Sequence, residues 1–142
     1  MRHLSTGLHT ILRMQTGDLL LDELEKALRE GLVRNAMVHF GIGSLSEAEF
    51  GTLPASGPHV RHTLAGPLEL VYLGGLIVGE GSGGPYISHL HVAVADLAGN
   101  VRGGHLFRAT VGLTAEVALT PIHDARMKRV HHKERGVALL EF

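Results

Sequence analysis

Three histidines carry the chemistry that this sequence can offer: His89 and His91, separated by one residue in "HLHVAVA" (89–95), and His105, which follows Gly103 and Gly104. Residues two apart on a strand face the same side. His89, His91, Ala93 and Ala95 would therefore share one face, with Leu90, Val92 and Val94 on the other, a good core face. If "DLAGN" (96–100) is the turn of a hairpin, Ala95 falls opposite Val101, Ala93 opposite Gly103, and His91 opposite His105. Opposed side chains have Cβ atoms about 4.5–5.5 Å apart. Shortening the loop by two residues places His105 opposite His89 instead, still on the same face. A slip of one residue would send Leu106 away from the side of Leu90 and Val92, so the apolar pattern argues against it.

Three neutral imidazoles on one face form a facial ligand set, suited to zinc at nitrogen–metal distances of about 2.0–2.1 Å. Nickel, iron or copper would also accept such donors. A three-histidine set leaves a fourth position for water or substrate, as in catalytic rather than structural zinc sites. The competing reading is a polar surface with three histidines and no metal; a third histidine in register favours the metal. Gly103 and Gly104 would allow a close approach of backbone or ligand, or mark a bulge.

The elements that must position these residues are mostly strands. "LHTILRM" (8–14), "NAMVHFGIGS" (35–44), "LELVYLGGLIVG" (68–79), the two strands of the histidine hairpin, "LTAEVALTPI" (113–122) and "GVALLEF" (136–142) are strand candidates. Residues 51–67, with Pro54, Pro58 and Pro67, read as loop around a short "VRHTL", and "EGSGGPY" (80–86) as a glycine-rich connection. One amphipathic helix is expected over 18–31, with Asp18 as its N-cap and Gly31 at its end. Its Leu20, Leu24, Ala27 and Leu28 share a face. The expected fold is α+β: a mostly antiparallel β-sheet with one main amphipathic helix, in a single compact domain over 1–142.

Other polar residues are weaker candidates. Glu69 and Glu116 lie within apolar, strand-like runs, where an unpaired carboxylate is costly to bury. They would orient a ligand histidine or act as acid–base groups beside the metal, unless they point to solvent. Arg13 and Arg102 have the chemistry to hold a substrate carboxylate, with an ion pair as the alternative role. His39 reads as a hydrogen-bonded core or interface histidine rather than a fourth ligand. "GIGS" (41–44) lacks the lysine of a phosphate loop and the third glycine of a dinucleotide fingerprint.

Composition bounds the partners. Of 142 residues, 44% are hydrophobic and 19% charged, which is globular rather than disordered composition. A formal net charge of −1 gives no general footprint for nucleic acid or anionic lipid. The one basic run, "HDARMKRVHHKERG" (123–136), has no aromatic residue on which bases could stack, and reads as a solvated loop or subunit-contact segment. Adjacent His131 and His132 would point to opposite faces of a strand. With no cysteine, disulfides and thiolate metal sites are excluded. No apolar run approaches a membrane span and no signal core opens the chain, so a cytoplasmic protein is expected.

Arg13 with Gly17-Asp18 before the helix, "GIGSL" (41–45), "LELVYLGGLI" (68–77), "HLHVAVADLAGNVRGGHL" (89–106) and "TAEVAL" (114–119) occur in an order and spacing that resemble the PPC (plants and prokaryotes conserved) domain family. The resemblance implies an α+β fold related to acetolactate decarboxylase, a homotrimer, and a metal held by His89, His91 and His105. A possible small-molecule ligand at the open position, acted on as in a decarboxylase or lyase, belongs to the same expectation. Family members are often labelled DNA-binding, by analogy with plant members that carry AT-hook segments. No Arg-Gly-Arg-Pro core of such a segment occurs here.

Overall fold

The structure is a computed structural model that describes residues 1–80, 84–134 and 136–142, and the side chains of these apart from residues 3–6. Gly81–Gly83 of the glycine-rich connection and Arg135 of the basic run lie outside the described residues. In chain order the elements are β1 (Arg2–Thr6), β2 (His9–Gln15), α1 (Leu20–Glu30), β3 (Asn35–Thr52), β4 (Val60–Gly79), β5 (Tyr86–Ala95), β6 (Val101–Ile122), β7 (Lys128–His132) and β8 (Val137–Glu141). The α+β reading holds, with antiparallel pairing throughout and one short helix.

The main sheet runs β1-β2-β6-β3-β4-β5, and β5 also pairs with β6. That extra pairing bends the sheet back on itself. β6 is long enough to serve two neighbours on one edge: Val101–His105 pairs with β5, and Thr114–Leu119 pairs with β2. Its other edge lies along β3. Strands β3, β4, β5 and the start of β6 therefore form a closed circuit. Leu45, Phe50, Leu70, Leu73, Leu90 and Val94 are among the buried residues of its core.

Helix α1 covers one side through Leu20, Leu24 and Leu28, which recur every four residues and are buried. Truncating one of them to alanine would cost about 2–5 kcal/mol. The C-terminal stop is Gly31, as expected, but Asp18 is not the N-cap. The helix begins two residues later, after an extended Leu19, and the Asp18 carboxylate instead accepts the Gln15 N–H across the turn at Gly17. No helix among the described residues is long and apolar enough to cross a membrane.

Three expectations need correction. The 51–67 segment is mostly strand: β3 continues to Thr52 and β4 begins at Val60, leaving a loop of residues 53–59. Pro67 does not end the strand, because it sits where the β3–β4 register shifts between Leu45 and Glu47. Pro is tolerated at such bulges. Residues 101–122 form one continuous strand rather than two. The basic run is not only loop, since Lys128–His132 pairs with Val137–Glu141 as a separate hairpin.

Candidate metal centre

The histidine hairpin folds as the apolar pattern requires. Asp96 closes its turn, with Oδ1 accepting the backbone N–H groups of Ala98 and Asn100, both at 2.9 Å. The register is Ala95 opposite Val101, Ala93 opposite Gly103 and His91 opposite His105. Leu90, Val92, Val94 and Leu106 are buried on the far side.

Both glycines are required by close packing. A Cβ at Gly103 would collide with the Val92 carbonyl oxygen of β5, and one at Gly104 with the Gly51 carbonyl oxygen of β3. The start of β6 is thus wedged between two backbones, and this fixes the height of His105 beside the β5 histidines.

The three rings cluster. Centroid separations are 5.3 Å for His89–His91, 5.3 Å for His89–His105 and 5.8 Å for His91–His105. One ring nitrogen from each lies within 4.8 Å of the others. Among the described residues none of the three commits a ring nitrogen to a hydrogen bond. Uncommitted imidazole nitrogens at this spacing fit a first-row divalent metal. Burial, then the neighbouring His89, His59 and His91 and finally Arg129, pushes His105 down to about 4. Burial, followed by Arg129, His91 and His59, lowers His89 as well. A lowered value keeps the ring neutral, which is the form that ligates metal.

The triplet opens into a cavity of about 720 Å³. Leu53, Ile87, Val137 and Leu139 give it apolar walls, and His59 and Arg129 stand in it beside the triplet. The His59 ring lies 5.1 Å from that of His105. Phe107 backs His105 at 5.0 Å and is itself covered by the Arg61 guanidinium at 3.8 Å.

The other residues singled out from the sequence are elsewhere. Glu69, Glu116, Arg13 and Arg102 are exposed and none lines the cavity, so the acid–base and carboxylate-holding placements expected for them are not found. Arg13 and Glu116 are cross-strand partners on the outer face of β2 and β6. His39 is also exposed on β3, its Nε2 2.6 Å from Thr120 Oγ1 and its ring edge-on to His9. Two cavity residues escaped the sequence reading. His59 lies in an irregular loop with no pattern to mark it. Arg129 sits in the basic run that reads as solvated loop, and both its hairpin and the docking of that hairpin over the triplet are tertiary facts.

A bent antiparallel sheet that carries a histidine triplet at its closing seam defines an α+β protein class with a cluster of side chains able to hold a metal. Residues 1–123 match the Plants and Prokaryotes Conserved (PCC) domain, and the chain belongs to that family. It is 33% identical over 119 residues to the "Bifunctional protein GlmU" of Synechococcus sp. (strain JA-2-3B'a(2-13)), covering 83% of this chain and 17% of the relative. The chain thus spans about a sixth of the length of the curated relatives it matches.

Among solved structures, a metal-containing protein from Archaeoglobus fulgidus is 27% identical, with a TM-score of 0.84 over 97% of this chain and 96% of that one. A candidate DNA-binding protein from Ralstonia eutropha JMP134 is 26% identical, with a TM-score of 0.85 over 99% and 95%. The α-acetolactate decarboxylase of Bacillus subtilis strain 168 shares the fold at 14% identity and a TM-score of 0.52, over 79% of this chain and 51% of the enzyme.

Proposed function

We propose that this chain is a homotrimeric metal-binding protein that holds one divalent transition metal, zinc first among the candidates, on His89, His91 and His105. The observation that carries the reading is the convergence of three uncommitted imidazoles, within 4.8 Å of one another, on the wall of a cavity large enough for a small molecule. A metal there would supply Lewis-acid polarisation to a ligand at its open position. The chain's own part is to hold the rings neutral and in register, to enclose the ligand between apolar walls, and to present His59 and Arg129 to it. The metal-containing relative from Archaeoglobus fulgidus supports the same reading.

Self-association follows the family resemblance and has a suitable surface. Ile11 of β2, Met37, Phe40 and Ile42 of β3, and Val71 of β4 are between 39% and 50% exposed. Register pairings place Ile11, Ala118 and Phe40 in one row and Arg13, Glu116 and Ile42 in the next. Exposed apolar side chains gathered on one sheet face support a contact between copies of this chain.

A second reading is a metal-dependent enzyme, decarboxylase- or lyase-like, acting on a small carboxylate. The cavity in front of the triplet favours it. With Glu69 and Glu116 outside the walls, His59 is the side chain placed to move a proton. DNA binding is the weaker reading, because the basic run is largely self-neutralised. Arg126 pairs with Asp124 at 2.6 Å, Lys128 with Glu141 at 3.7 Å, and Arg129 turns into the cavity.

Cobalt titration of the metal-free protein tests the proposal. Saturation at one ion per chain with the visible absorption of a four-coordinate site is expected, and its loss in His91→Ala. Uptake that is unchanged in His91→Ala would overturn it.

A further inference from the structure

The β7–β8 hairpin contributes Arg129, Val137, Ala138 and Leu139 to the cavity, and it lies entirely beyond residue 123, where the family match ends. Arg129 is the one side chain of fixed charge among the described residues that line the cavity, and no carboxylate lines it. Its neighbours in sequence are paired, Arg126 with Asp124 and Lys128 with Glu141. Among the described residues Arg129 has no acidic partner. Its one hydrogen bond runs from Nη1 to the Ala138 carbonyl oxygen at 3.3 Å, and its Nε is buried without an acceptor. A half-buried guanidinium with unspent donors and no counter-charge is an unfavourable arrangement in a free protein. An anionic ligand removes that cost.

We propose that Arg129 is the residue that holds the carboxylate of a small monocarboxylate with an apolar body, whose other end reaches the open position beside His89, His91 and His105. The planar guanidinium matches a carboxylate by paired N–H donation, which a point-charge cation does not reproduce. Leu53, Ile87, Val137 and Leu139 receive the apolar body. A metal at the triplet would add positive charge to a cavity that already lacks any acidic wall, so cationic ligands are disfavoured and anionic ones drawn in. Because the charge and two of the four apolar groups come from the hairpin, the hairpin sets which ligand the histidines meet. The inference rests on the metal reading only for what the far end of the ligand touches.

Sodium butyrate is the probe, with butyramide as its neutral isostere and inorganic phosphate as the competing anion. Backbone amide resonances of the cavity residues Ile87 and Ser88 in 1H–15N NMR follow binding in every variant, zinc-loaded and metal-free, and the arginine Nε–H region reports on Arg129 itself, its signal assigned by its loss in Arg129→Gln. Butyrate is expected to shift the Arg129 signal while butyramide does not. Arg129→Gln should weaken butyrate at least about tenfold at unchanged zinc content, with Arg129→Lys falling between the two; unchanged zinc content also reports an intact site. Equal butyrate affinity in wild type and Arg129→Gln would overturn the assignment, as would tighter binding of phosphate than of butyrate. If the wild type takes up no zinc, the metal reading fails, and the shift in metal-free protein still decides the role of Arg129.

Discussion

His91 and His105 face each other across the β5–β6 ladder as directly opposed partners, 14 residues apart in sequence and 5.8 Å apart between ring centroids. The pairing depends on a turn of fixed length. Asp96 fixes it by accepting from Ala98 and Asn100, and the Asn100 side-chain amide first, then the backbone N–H groups of the turn, hold its carboxyl below the usual range. Asp96→Ala is therefore expected to loosen the turn and weaken metal affinity several-fold without abolishing it. Competition with a chromophoric chelator measures this; unchanged affinity would show that the sheet alone sets the register.

Gly104 meets the Gly51 carbonyl oxygen where β6 enters between β3 and β5. In Gly104→Ala the added methyl must push two backbones apart, an overpacking cost of about 1–3 kcal/mol. Urea denaturation should show a lower midpoint at unchanged slope.

Acid should destabilise the metal-free protein through the same rings. The unfolded chain carries histidines near pH 6.5, whereas His105 is pushed to about 4 and His89 is also lowered when folded. Below 6.5 the unfolded state binds protons that the folded state refuses, so stability falls with pH and levels off near the folded value. Denaturation midpoints at pH 7.5, 6 and 5 should decline in that order, and less steeply in His105→Ala. Identical slopes would remove the triplet from the account.

The apolar outer face predicts its own outcome. Ile42 is 48% exposed beside Glu116 and Arg13. Ile42→Asp should shift sedimentation from a trimer to a monomer with metal uptake retained. A wild type that sediments as a monomer would contradict self-association.

The histidine triplet was legible because a period of two keeps Leu90, Val92, Val94 and Leu106 on one apolar face, and either register that does so brings the three histidines together. The closed circuit was not, since β6 splits one edge between β5 and β2, and no local pattern records which partner a long strand takes. For Glu69 and Glu116 the sequence left two placements open, because in a one-sided sheet a carboxylate within an apolar strand points to solvent as readily as to a site; both are exposed. The hairpin that brings Arg129 over the cavity was read as loop, because its five-residue strands carry no clear period of two, and where it docks depends on the whole fold.

The central claim is that three imidazoles hold a metal, and elemental analysis tests it most directly. Untagged protein prepared without chelator is compared with a His89→Ala/His91→Ala variant. About one transition metal per chain in the wild type, and none in the variant, is the predicted result. A wild type that remains metal-free after incubation with zinc would contradict the account.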